Sequence, residues 1–140
     1  MCIRDRAGTL SGNPLAVAAG LATLAKLDAA AYARLGELTD RFKAGLEAAI
    51  ADADATGRVS LASQPGLLTL FFAAEPPHDF ESAKACDLDA YGRFCREMLD
   101  RGVYPPPSQF EAWFVSLAHG EAAIERTCEA AAESLHVALG

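Results

Sequence analysis

The sequence is poor in positive charge. Among its 140 residues, Lys and Arg number 12 against 19 Asp and Glu, for a formal net charge of -7. No dense basic patch occurs, so a nucleic-acid backbone would be repelled and is not an expected partner. Lysine occurs only as Lys26, Lys43 and Lys84. His78, His119 and His136 are scattered, and Cys2, Cys86, Cys95 and Cys128 match neither zinc-knuckle nor disulfide-framework spacing. No metal site is expected, and a reducing, cytoplasmic compartment fits. Met1–Arg6 has no apolar core behind it, so no signal peptide is expected. The apolar run from Leu15 to Leu27 is broken by Thr23, Lys26 and Asp28 and is too short to span a bilayer. No membrane partner is expected.

What remains is a globular composition, 51% hydrophobic with 18 Gly and Pro residues, enough for one core with an appended helix. Asn13-Pro14 reads as a helix start, because Asn caps free amides and Pro loses nothing at the first helical position. That helix is predicted from Pro14 to about Leu27, with Val17, Leu21 and Leu24 on one face and Ala over much of the rest. So little polar surface implies burial by neighbours, a further domain or a partner subunit. Leu35, Leu38, Phe42, Leu46 and Ile50 recur at helical spacing and predict a second helix over 32–52.

Short strands are predicted at 59–61, 67–73 and 112–117, with an extended piece at 103–104. Pro76-Pro77 opens a predicted loop reaching Cys86. Asp87 should cap a helix over 88–101 whose stripe is Tyr91, Phe94, Met98 and Leu99. A last helix, 120–139, turns Ile124, Cys128, Ala131 and Leu135 inward. The expected class is α+β, helices and a small sheet in two layers.

Two stretches could carry chemistry. In Gly8-Thr9-Leu10-Ser11-Gly12-Asn13-Pro14, glycines, hydroxyls and a helix start could receive a phosphate, or could be an ordinary loop and cap. In Pro105-Pro106-Pro107-Ser108-Gln109-Phe110-Glu111, a stiff entry, polar side chains and aromatics could line a pocket wall, or form a solvent loop with Phe110 and Trp113 packed inward. Ser116 and His119 lack a nucleophile elbow and a partner Asp; a structural place near the helix cap suits His119 better.

These stretches carry a resemblance. Ala7-Gly8-Thr9-Leu10-Ser11-Gly12-Asn13-Pro14-Leu15-Ala16, continuing to Ala19-Gly20, resembles a signature of the glutamate-1-semialdehyde aminomutases, within the class-III aminotransferases. Asp100-Arg101-Gly102-Val103-Tyr104 followed by Pro107-Ser108-Gln109-Phe110-Glu111-Ala112 is similar to a second, which Phe114, Ser116, Ala118-His119 and Thr127 continue. The resemblance runs from Ala7 to about Leu139.

It implies the C-terminal small domain of a fold-type-I pyridoxal-phosphate enzyme, preceded by a helix from the end of the large domain. On that reading 1–6 is a nonmatching extension, 7–30 the phosphate loop and linking helix, and 31–140 the small domain. The implied parent is a homodimer that isomerises glutamate 1-semialdehyde to 5-aminolevulinate for tetrapyrrole synthesis with pyridoxal or pyridoxamine 5'-phosphate. Gly8 and Thr9 would grip the cofactor phosphate across the dimer interface, and Glu111 would face the small-molecule substrate's amino groups.

The chain departs from the family pattern as well. None of its lysines matches the Schiff-base lysine, so no catalytic residue is expected within it and it is expected to be inactive alone. Met1–Arg6 joins the motif abruptly, as a truncated or misassembled reading frame would. Pro65-Gly66-Leu67 and Pro106 also differ from the usual residues there. The alternatives are a fragment of another class-III aminotransferase, which would need an external keto acid, and a noncatalytic interaction domain.

Overall fold

The computed structural model describes residues 12–140. The predicted phosphate-loop residues Gly8 and Thr9 therefore lie outside the described residues. The chain separates into two compact units, one up to Tyr32 and one from Ala33 to Gly140.

The first unit contains helix α1, Pro14–Leu24. The Asn13 side chain accepts hydrogen bonds from the amides of Leu15 (3.0 Å) and Ala16 (3.3 Å), with Pro14 at the first helical position. The helix ends three residues before the predicted Leu27. None of its residues is buried. Leu15 is 80% exposed, Leu21 63% and Leu24 66%.

Helix α2, Ala29–Asp52, starts three residues before the predicted Tyr32 and runs into the second unit. Phe42, Leu46, Ala49 and Ile50 reach the core, with Leu35 and Leu38 packed against it. Strands β1, Ser60–Gln64, and β2, Leu67–Phe71, form an antiparallel hairpin in which Gln64 faces Leu67. The turn between them is Pro65-Gly66, and Gly66 has the positive φ of 84° that a Pro-Gly turn requires.

Helix α3, Phe80–Lys84, lies where the sequence predicts a loop. Asp79 and Ser82 cap each other reciprocally. The capping pattern carries Ser in place of the usual Glu or Gln at the third position, which hides it from a motif reading. Helix α4, Leu88–Asp100, is capped by Asp87 as predicted, whose carboxylate accepts from the Ala90 amide at 2.8 Å. Its buried stripe is Ala90, Tyr91, Phe94, Cys95 and Met98; Leu99, expected inside, is 47% exposed.

Val103 and Tyr104 form no strand, and the strand predicted over 112–117 shrinks to β3, Trp113–Phe114. β3 pairs antiparallel with β2, giving a three-stranded sheet of order β1-β2-β3. Pairing runs out there because β2 begins at Leu67, directly after the Pro65-Gly66 turn; the Val115 amide adds one last bond in the same register, to the Gly66 carbonyl at 2.9 Å. Helix α5, Glu121–Leu139, packs on α4 and buries Ile124, Ala131 and Leu135, as the spacing predicts, with Cys128 half-buried.

Aromatic rings join sheet to helices in the core. Phe94 stacks on Trp113 (centroids 6.1 Å for Phe42–Trp113 and 6.4 Å for Phe94–Trp113), and Phe72 meets Tyr91 edge-on. Among the described residues, no single helix is long and apolar enough to cross a membrane, and no group of His, Cys, Asp or Glu is placed to hold a metal.

Candidate functional site

The loop 105–112 connects α4 to β3 and carries Glu111. Three prolines remove three backbone donors and fix φ, so the loop must be held by its carbonyls and side chains. Helix α4 supplies the hold on one side. The Tyr91 hydroxyl donates to the Pro106 carbonyl at 2.8 Å, and the Cys95 thiol approaches the same oxygen at 3.5 Å. Burial pushes both the Tyr91 phenol and the Cys95 thiol up, so both keep their protons and remain donors in neutral solution.

Gln109 supplies the hold on the other side. Its side chain is 2% exposed and its amide nitrogen donates to the Ala83 carbonyl of α3 at 3.0 Å. The predicted loop at 76–86 thus contains a short helix, α3, that anchors the Glu111 segment. Ser108 shapes the turn itself. Its hydroxyl accepts the Phe110 amide at 3.3 Å and its carbonyl accepts the Glu111 amide at 3.0 Å.

Glu111 is exposed and lines an open groove of about 550 Å³ with Tyr104, Pro106, Pro107, Ala112 and Phe114. Tyr104 is 79% and Phe114 77% exposed. Phe110 does not pack inward as one sequence reading had it; it lies half-exposed against Phe80, with ring centroids 5.8 Å apart. Trp113 does pack inward. The groove therefore offers one carboxylate beside aromatic and proline walls, which suits an ammonium carried on a small organic body.

No lysine lines this groove. Lys43 pairs with Glu47 on α2, at 3.7 Å, and Lys84 pairs with Glu81 at 2.8 Å while its ammonium sits over Phe80. Lys26 is an exposed residue just after α1. His119 accepts the Ser116 amide at Nδ1, at 3.0 Å, with the Ser116 hydroxyl 3.4 Å from the same nitrogen. That closes a tight turn before α5. The three described cysteines, Cys86, Cys95 and Cys128, are free thiols, and burial pushes Cys128 up to about 11, which makes it a poor nucleophile.

The chain that carries this groove is similar to known proteins. The glutamate-1-semialdehyde 2,1-aminomutase of Desulfatibacillum aliphaticivorans is 49% identical over 131 residues, which is 93% of this chain. Those of Sorangium cellulosum (48%) and Thermomicrobium roseum (45%) match over the same length.

The chain belongs to the glutamate-1-semialdehyde 2,1-aminomutase family.

It spans about 30% of the length of these aminomutases. Solved structures agree on the fold. An omega-transaminase from Sphaerobacter thermophilus superposes with a TM-score of 0.82, and a transaminase with PLP bound with 0.74, each at 24% identity and covering 96% of this chain and 30% of the other. The helices and small antiparallel sheet of this aminomutase relative are thus a C-terminal portion of the transaminase fold. No family profile matches the chain.

Sequence reasoning did not find Tyr91, Cys95 or Ala83 as supports of the Glu111 loop. The signal available for Tyr91 was its place on the apolar stripe of α4, which says buried and leaves the partner of its hydroxyl open.

Proposed function

We propose that this chain contributes one wall of the substrate pocket in an aminomutase that converts glutamate 1-semialdehyde to 5-aminolevulinate, within tetrapyrrole synthesis in the cytoplasm. The observation that supports this most is the identity of 45–49% with three aminomutases across 131 residues, 93% of this chain. The working assembly would be a homodimer. Each subunit would combine residues 31–140 as small domain, residues 7–30 as phosphate loop and linking helix, and a large domain corresponding to the rest of the relatives' length. Residues 1–6 would take no part.

The cofactor of that enzyme would be pyridoxal 5'-phosphate, cycling with pyridoxamine 5'-phosphate, which supplies an electron sink and carries the amino group. The described residues do not fit this cofactor by themselves. They bring no lysine to the groove, and Gly8 and Thr9, proposed to grip its phosphate, lie outside them. This chain's own part is positioning. Glu111 would accept hydrogen bonds from the substrate's ammonium group and hold it in register. Tyr104, Phe114 and the prolines would exclude water from its apolar side. Tyr91, Cys95 and Gln109 would keep the Glu111 loop from shifting.

A chimera tests this. Residues 7–139 replace the matching segment of the Desulfatibacillum aliphaticivorans aminomutase, and 5-aminolevulinate is measured without added keto acid. We expect activity in the chimera, none in the 140-residue chain, and a loss of about 10²-fold in kcat for Glu111→Gln in the chimera. A folded, cofactor-loaded chimera that produces none would overturn the reading. Activity only with an external keto acid would point to another class-III aminotransferase.

A further inference from the structure

A second groove, of about 410 Å³, shares Tyr104, Pro106 and Phe114 with the first, but Glu111 lines only the first and His119 and Arg126 only the second. Its walls are largely apolar: Phe42 of α2, Trp113 of β3, Val115 just after β3, and Ile124 of α5. Its charged group is the Arg126 guanidinium. Arg126 lies close over Gly102, where a Cβ would stand 2.7 Å from Nη2, so the glycine gives the guanidinium room to lie across the backbone. Its only hydrogen bond among the described residues is a long one, 3.5 Å, to the Arg101 carbonyl.

Arg126 has no carboxylate within salt-bridge distance among the described residues. Of the other carboxylates on α5, Glu121 and Glu125 both pair with Arg41 and Glu133 pairs with Arg101, while Glu129, three residues on, forms no ion pair among the described residues. His119 adds a donor. Its Nδ1 accepts the Ser116 amide at 3.0 Å, which leaves the proton of the neutral ring on Nε2. The groove thus sets an exposed guanidinium, with no carboxylate partner among the described residues, and the exposed His119 ring beside an apolar slot, in a size range that holds small organic molecules.

We infer that this groove is a binding site for a small monocarboxylate with an apolar body. The carboxylate meets Arg126 and the His119 Nε2–H, and the body lies between Trp113, Phe42 and Ile124. A guanidinium forks two parallel hydrogen bonds to a carboxylate, which an alcohol cannot accept with charge assistance. Acetate would satisfy the donors but leave the slot unfilled. This inference is independent of the proposed catalytic role.

The test is titration of the 15N-labelled 140-residue chain with 3-phenylpropionate, followed by backbone amide shifts. Saturable shifts are expected at residues 102–104, 113–115 and 119–127. 3-Phenylpropanol and acetate should each bind about tenfold more weakly, and Arg126→Gln should weaken the acid about tenfold while leaving the remaining spectrum in place. Absence of shifts at about 10 mM acid, a concentration that would reveal even weak binding, would overturn the site. Equal binding of acid and alcohol by the unaltered chain, or of the acid by Arg126→Gln, would overturn it too, since either means that the guanidinium does not recognise the ligand.

Discussion

Thr39 is a buried polar residue in an otherwise apolar row. Its hydroxyl donates to the Leu35 carbonyl at 2.7 Å and accepts the Gly66 amide at 2.8 Å, tying α2 to the tip of the β1–β2 hairpin. The carbonyl of the same glycine accepts the Val115 amide. One turn residue therefore fixes both neighbours of the groove-bearing segment. Thr39→Val keeps the shape and removes the acceptor, leaving the Gly66 amide buried without a partner. The expected loss is about 1–3 kcal/mol in urea unfolding. Thr39→Ser should recover most of it, because the hydroxyl returns.

At the scale of elements, α2 and α5 meet where Gly45 faces Cys128. A Cβ at Gly45 would stand 2.5 Å from the Cys128 sulfur. Two effects oppose each other on Gly45→Ala. Helix propensity favours Ala by about 1 kcal/mol, while forcing overlap in a packed contact costs about 1–3 kcal/mol. A net loss is expected in thermal or urea unfolding. In a Cys128→Ala background the clash is gone, and the same substitution should become stabilising. That reversal of sign distinguishes contact from propensity.

The elements also show what was legible beforehand. Helical periodicity placed α2, α4 and α5 because each buries a stripe at constant spacing, and Asn13 and Asp87 announced their caps by residue type. β3 is shorter than its composition suggests: Val115 and Leu117 read as strand, but β2 begins at Leu67, so beyond Gly66 the hairpin turn leaves no strand for them to pair with. α3 was missed because five residues carry no period and its cap uses Ser82. Leu99 lies in the last turn of α4, off a buried stripe that runs through Cys95 and Met98. The site divides in the same way. Glu111 came from a motif, whereas the supports at Tyr91 and Ala83 depend on contacts between segments distant in sequence.

For the chain taken whole, α1 is the helix whose apolar side chains are most exposed. Leu21 and Leu24 are largely exposed and no residue of the helix is buried. A contiguous apolar stripe of this kind promotes association in water. Leu21→Lys with Leu24→Glu should therefore leave the melting temperature within about 2 °C, since no buried contact is lost. Light scattering should show less concentration-dependent association than in the unaltered chain. A drop in melting temperature instead would mean that the helix is stabilised by contacts within the chain.

The order of the sheet has a consequence for synthesis. β1 and β2 are joined by a two-residue turn and can pair as soon as both have left the ribosome. The opposite edge of β2, beginning at Leu67-Leu68, must wait until Trp113-Phe114 emerges, after α3, α4 and the proline loop. During that interval the nascent chain displays an unpaired apolar edge, Leu67–Phe71, which is a template for pairing with a neighbouring chain. Slow translation between α3 and β3 would lengthen the exposure, so aggregation during expression should depend on codon choice within residues 80–113.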